Sequence, residues 1–162
     1  MKYIVGLLLI LSLEIGCKRY HGDADMPAIS DVCAGSRKFL FGHRGKDETD
    51  SFIACASDSN IIATVEAELA LPIESRYKHI NGKIAKGNGG HNLNWDWHFI
   101  PNQWRLAELS VEVCDGWASD VQQNLDYWVN NVGFFCPWAS YVRQEVNSSV
   151  QSSNPIIKKL YE

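Results

Sequence analysis

Leu106-Ala-Glu-Leu-Ser-Val-Glu-Val113 is the stretch on which the fold class turns. Ala107, Leu109, Val111 and Val113 alternate with Glu108, Ser110 and Glu112, the period of two expected of a half-buried strand with one wet face. Just upstream, residues 79–86 and 95–100 read as two more strands. Downstream, residues 119–132 read as a helix in which Val121, Leu125, Trp128, Val129 and Val132 form the buried stripe, Ser119 and Gln122 a capping box, and Gly133 the C-terminal stop. Residues 138–146 then close the domain as a final strand. Toward the N-terminus, residues 39–41 and 51–56 read as strands joined by the charged loop 44–50. Asp58 caps a helix carried by Ile61, Ile62, Val65 and Leu69 as far as Leu71, where Pro72 stops it. Strand, strand, helix, three strands, helix, strand is not the regular alternation of a parallel sheet. It predicts an α+β fold: a mainly antiparallel sheet of five to six strands with two helices packed on it.

The 162 residues, 46% hydrophobic and 11% aromatic, suffice for one core and hardly for two. One domain is expected over residues 33–146, with a polar tail over 147–162 rich in Ser and Asn. Residues 1–16 read as an export signal: Lys2 gives the positive start, residues 4–13 form an apolar run too short to span a bilayer, and Gly16 precedes Cys17. Leu13, Ile15, Gly16 and Cys17 resemble a bacterial lipobox, with Glu14 atypical inside it. Lipid on Cys17 would anchor the chain to a membrane, and residues 17–32 would be the spacer. An ordinary secretory signal cleaved nearby is the plainer alternative. Either way the chain is expected in the cell envelope or at the cell surface.

With Cys17 set aside, Cys33, Cys55, Cys114 and Cys136 remain, an even number that suggests two disulfides in an exported chain. Three pairings are formally open. Cys114 with Cys136 is favoured because the two bracket one predicted helix, leaving Cys33 with Cys55. A zinc site is the rival reading, against which stands the lack of a Cys-x-x-Cys or a closely spaced Cys/His set. No cofactor is expected. The net charge of −4 offers no attractive field to phosphate backbones, which argues against nucleic acid as a partner.

Several segments taken together, His79-Ile-Asn-Gly-Lys-Ile84, Asn94-Trp-Asp-Trp-His98, Val111-Glu-Val-Cys-Asp115 and Cys136-Pro-Trp-Ala-Ser140, resemble a family of small domains. It is named after the N-terminal part of a slime-mould calmodulin-binding protein and is found in many secreted bacterial proteins. The resemblance spans residues 39–146. It implies a compact exported domain with a cystine at Cys114 and Cys136, and it carries over no enzymatic activity. Cys33 and Cys55 go beyond its pattern. Calmodulin binding is not supported by the helices: a calmodulin target is a basic amphipathic helix, whereas Glu66 and Glu68 mark the first helix here and Asp120 and Asp126 the second.

All six tryptophans lie in the second half of the chain. Trp95 and Trp97 share a strand face with Phe99 and Trp128 lies on a helix stripe, so these read as core. Trp104 and Trp117, beside loops, read as candidates for a surface patch that stacks on a ligand. His98 with Asp96 two positions away could exchange protons, although structural hydrogen bonding is the safer reading. His91 with Asn88, Asn92, Asn94 and Asp96 makes an oxygen-rich loop that reads as a turn built on Gly89 and Gly90 rather than as a calcium site, since it holds one carboxylate. Ser140, His98 and Asp115 make a triad only on paper, with no Gly-x-Ser-x-Gly elbow. In Leu71-Pro-Ile-Glu-Ser-Arg-Tyr77, Arg76 could anchor the loop in a protease cleft.

The expectation is therefore a non-enzymatic exported domain that recognises an extracytoplasmic protein or glycan through residues 71–77, 87–94 and the loop at Trp117. Arg76, Trp104, Trp117, His91 and His98 are its candidate binding residues, and no catalytic or metal-binding residue is assigned. A protease inhibitor presenting residues 71–77 is the alternative, and a hydrolase using His98 the next.

Overall fold

A computed structural model describes residues 31–46 and 49–146. The predicted signal, Cys17, the spacer up to residue 30 and the tail lie outside those residues. The fold is α+β, and the described residues form six strands, divided between two antiparallel sheets, and two disulfides, Cys33–Cys55 and Cys114–Cys136. In the first sheet β1 (Arg37–His43) lies between β2 (Phe52–Ala56) and β6 (Ser140–Val146). In the second, β3 (His79–Lys86) lies between β4 (Trp97–Ala107) and β5 (Phe134–Phe135).

The single sheet expected from the sequence is thus two. The outward groups of β2 show why no ladder joins them. Trp95 Nε1 donates to the Ser51 carbonyl at 2.9 Å, Asn92 Oδ1 accepts from the Ile53 amide at 3.0 Å, and Trp104 Nε1 donates to the Cys55 carbonyl at 2.8 Å. Side chains of the second sheet and its loops thereby occupy alternate positions on the free edge of the first, which protects it from further strand pairing.

Alternation sends Phe39 and Phe41 of β1 and Trp97 and Phe99 of β4 into the space between the sheets; the register irregularity opposite Gly82–Ile84 brings Trp104 to the same side, and Phe52 and Phe135 join them. Phe41 meets Trp104 edge-on at 5.7 Å and Phe52 packs against Phe99 at 5.5 Å. Such pairs contribute about 0.5 to 1.5 kcal/mol each beyond the area they bury. Gly82, at the bulge of β3, is glycine by necessity: a Cβ there would stand 2.6 Å from the Trp104 Cα.

Helix α1 (Ser59–Leu69) packs against β4 and β6. Its N-cap is Asp58 as read from the sequence, with the carboxylate accepting from the amides of Asn60 and Ile61. The second helix departs from expectation. Only α2 (Ala118–Gln123) is regular; Asn124 (φ −129°, ψ 41°) interrupts it, Leu125–Tyr127 forms one turn, and Trp128–Val132 forms a wide π-type turn ended by Gly133 at φ 73°. Ser119 and Gln122 do not cap it. Asp120 accepts from the Trp117 amide at 2.9 Å, and Gln122 exchanges two hydrogen bonds with Asp96, to its amide and its carboxylate.

The opening stretch of the sequence is the largest correction. Residues 97–107 form one long strand, and the chain then leaves the sheet: residues 108–111 are irregular and Glu112–Cys114 is a 3₁₀ turn. No strand follows Ala107 in this segment, because its side chains have no facing layer to bury them.

Candidate functional site

Leu109, Val111 and Val113 are 90%, 67% and 65% exposed. The alternation that suggested a strand is instead an exposed segment whose three aliphatic side chains, with Glu108 and Glu112 among them, stand in solvent on a backbone fixed at both ends. At one end the Ser110 hydroxyl lies 2.7 Å from His79 Nε2 and accepts from Asn81 Nδ2 at 2.7 Å, His79 and Asn81 standing on the same face of β3. At the other end Cys114 is bridged to Cys136, whose amide donates to the Cys114 carbonyl at 2.7 Å. Asp115 completes the fastening by accepting from the amides of Gly116 at 2.9 Å and Trp138 at 2.8 Å. Two of the motifs quoted above, Val111-Glu-Val-Cys-Asp115 and Cys136-Pro-Trp-Ala-Ser140, meet here.

Beside this strap is a concavity of about 160 Å³ lined by Tyr77, His79, Glu108, Leu109, Ser110 and Trp138. Tyr77 and Trp138 are exposed aromatic walls, and His79 lies buried at the floor. Burial pushes the His79 pKa below the ordinary histidine value, with the charge of Asp115 acting the other way. His79 is therefore neutral at neutral pH. With Asn81 donating into the serine oxygen, the Ser110 hydrogen is free to point at Nε2. A serine facing a neutral imidazole is the start of a nucleophilic site. Among the described residues, however, no carboxylate hydrogen-bonds to His79, and Asn81 engages the serine oxygen. The geometry is that of a fastened loop with a polar-floored, aromatic-walled recess.

Of the segments expected from the sequence to form the displayed surface, only the 71–77 loop reaches this recess, through Tyr77. Arg76 does not point outward: it is buried, and its guanidinium donates to the carbonyls of Leu69, Leu71, Val142 and Arg143 at 2.8 to 3.0 Å. The inhibitor reading thereby loses its anchoring side chain. Trp104 is core, not surface. Trp117 is half-buried, with the His43 ring centred 3.9 Å away and the Lys46 ammonium 4.0 Å over its ring. Burial lowers the His43 pKa, against the bond to the Arg44 carbonyl and the charges of Asp50 and Asp115.

His91 and His98 are both buried. His98 does not pair with Asp96; its Nδ1 lies 2.6 Å from the Gly87 carbonyl, while Asp96 holds Gln122. The concavity on the neighbouring loop, lined by His91 and not His98, measures about 10 Å³ and is too small for a substrate. Ser140 is likewise far from a triad role, its hydroxyl accepting from the Ile80 amide at 3.3 Å. The 87–94 loop is the turn expected, with Gly87, Gly89 and Gly90 at φ between 64° and 81°. Asn92 spends its side chain on the Ile53 amide and the Trp97 carbonyl.

Sequence reasoning missed the strap and the pair His79 and Ser110. The signal was present, since Ser110 is the one hydroxyl among the polar positions of the alternating stretch, but a strand would have sent it to solvent.

These features define a small cystine-fastened α+β domain of two facing antiparallel sheets. The chain belongs to the BP-74 N-terminal domain family, whose model matches residues 36–149. No curated protein and no solved structure matches it.

Proposed function

We propose that the chain is exported, anchored by lipid on Cys17, and displays a non-enzymatic recognition domain that docks an extracytoplasmic protein through Leu109, Val111 and Val113, with Tyr77 and Trp138 beside them. The observation that carries this is the outward row of aliphatic side chains on a backbone pinned by Ser110 and Cys114. Each such side chain would gain about 1.5 to 3 kcal/mol on full burial, and three large aliphatic groups exposed within five residues are the kind of apolar surface that marks an interaction site. Because the backbone is already ordered, little conformational entropy is lost on docking. A protein is favoured over a glycan because the most exposed of these side chains are aliphatic, whereas a sugar, which stacks on aromatic faces and hydrogen-bonds to polar groups, would use only Tyr77, Trp138 and the floor of the recess. Export is supported by the two cystines, which persist in oxidising compartments.

The test is capture from envelope extract by the oxidised domain, compared with a Leu109→Asp/Val111→Asp variant. Both positions are exposed, so the variant is expected to fold with an unchanged far-UV spectrum and to lose the captured protein by at least tenfold. Equal capture by both forms, or binding to a glycan panel that the variant retains, would refute the docking surface. For the anchor, Cys17→Ser is expected to abolish incorporation of radiolabelled fatty acid and to shift the protein from the membrane pellet to the soluble fraction. Wild-type protein found in the cytosol with every thiol open to alkylation would refute export itself.

A further inference from the structure

Three side chains far apart in the sequence converge behind the edge of the first sheet. Cys33 comes from the turn before β1, Cys55 from β2 and His91 from the glycine loop between β3 and β4. The two sulfurs and an imidazole nitrogen all lie within 4.8 Å of one another, and all three residues are buried. In the oxidised chain the sulfurs are joined.

The orientation of the histidine is fixed independently of the cystine. Its Nδ1 lies 3.0 Å from the Gly89 carbonyl. A carbonyl can only accept, so Nδ1 carries the proton and Nε2 carries the lone pair. That Nε2 is buried and bonded to nothing among the described residues, an arrangement folded proteins avoid unless the atom has another use. Orienting an imidazole by giving its other N–H to a backbone carbonyl is how metal-ligating histidines are commonly fixed. The loop packs closely around the ring: a Cβ on Gly89 would come within 2.7 Å of His91 Cε1 and 2.9 Å of the His98 ring, and a Cβ on Gly90 within 2.7 Å of the Asp31 Cα. The turn carrying Cys33 is tied to the same loop by the Val32 amide, which donates to the Gly89 carbonyl at 2.9 Å.

We propose that, in the dithiol form of the domain, Cys33, Cys55 and the Nε2 of His91 bind one Cu(I) ion. Two thiolates and one imidazole are a soft, three-atom donor set in a closed site. Low-coordinate monovalent copper accepts such a set, whereas a structural zinc ion asks for four ligands in a tetrahedron. Binding joins Cu(I) to both sulfurs and releases their two protons, with no change of oxidation state. Passage from cystine to dithiol takes two electrons and two protons from an external dithiol, which leaves as its own disulfide. Copper-bound and cystine forms therefore exclude each other. The other cystine has no such neighbour among the described residues, so this site is separate from the docking surface and does not depend on it.

The experiment is an anaerobic titration of the phosphine-reduced protein with Cu(I) against a chromophoric copper chelator. One equivalent is expected in the wild type and in Cys114→Ser/Cys136→Ser, and none in the oxidised protein or in Cys33→Ser/Cys55→Ser. His91→Ala and the milder His91→Gln are expected to weaken binding at least tenfold, which a purely structural cystine would not show. Equal retention of copper by Cys33→Ser/Cys55→Ser, unchanged affinity in both His91 variants, or displacement of Cu(I) by equimolar zinc would each overturn the assignment. Should the serine pair fail to fold, the His91→Gln titration decides alone.

Discussion

Replacing Arg76 by methionine is expected to lower stability by about 3 to 5 kcal/mol in urea unfolding, and Arg76→Lys to recover little of that loss. The side chain is 9% exposed and its three nitrogens reach four carbonyls: Nε to Leu71 at 2.9 Å, Nη2 to Leu69 at 3.0 Å, and Nη1 to Val142 at 3.0 Å and Arg143 at 2.8 Å. Leu69 ends α1, where backbone carbonyls have no partner within the helix, and Leu71 lies just beyond it. The positive charge also faces the negative end of the helix dipole. Val142 and Arg143 lie in β6, so one guanidinium ties the helix to the first sheet. Arg44 reinforces the same loop, donating to the carbonyls of Ile73 and Arg76 while stacking on Tyr141 at 4.4 Å. Methionine fills the volume but removes the guanidinium's four hydrogen bonds. Lysine keeps the charge but offers a point where the site needs a planar fork. A measured loss below about 1 kcal/mol would mean that water replaces the guanidinium and that the tie is dispensable.

The loop 71–77 shows what sequence can and cannot tell. Pro72 marks the end of α1 correctly, and residues 71–75 and Tyr77 are exposed as a loop should be. An arginine in such a loop reads as solvent-facing because nothing local records the distant strand β6 that supplies two of its acceptors. Elements governed by local chemistry were legible: the Asp58 cap, the Gly133 stop, the strand at 79–86, and the final strand, read as 138–146 and found at 140–146, all follow from propensity and period. Division into two sheets was not, since it depends on Trp95, Asn92 and Trp104 reaching across to β2 at sequence separations of 39 to 49. Trp104 therefore passed for a surface residue while forming part of the core.

The candidate site was legible in its letters and not in its meaning. Alternating Leu109, Val111 and Val113 gave a real pattern, but a period of two says only that side chains alternate, not that a layer stands ready to bury one set. The hydroxyl of Ser110 and the cystine at Cys114 decide the matter by pinning the segment away from the core. Likewise Cys33, Cys55 and His91 carry no recognisable ligand spacing, and they meet only because the 87–94 loop folds back onto β2 and the turn at Cys33. Long-range convergence leaves no trace in a linear reading.

Opening either cystine is expected to destabilise the domain by about 3 kcal/mol, and opening Cys114–Cys136 alone is expected also to abolish docking. Both bridges join residues 22 apart, so loop closure in the unfolded chain assigns them nearly the same stabilisation. Against a total stability of roughly 5 to 15 kcal/mol for a domain of this size, either loss is large. Function separates what stability does not. Cys114–Cys136 holds one end of the strap, next to the Asp115 bonds that place Trp138, while Cys33–Cys55 lies at the His91 loop. Cys114→Ala/Cys136→Ala should therefore free Leu109, Val111 and Val113 to sample many conformations, and the ordering entropy would then be lost on binding instead of on folding. Urea titration of the two double-alanine variants should give similar midpoints below the wild type, while capture from envelope extract survives only in Cys33→Ala/Cys55→Ala. Equal capture by both variants would show that the strap needs no fastening, and the apolar row would then have to be explained without preorganisation.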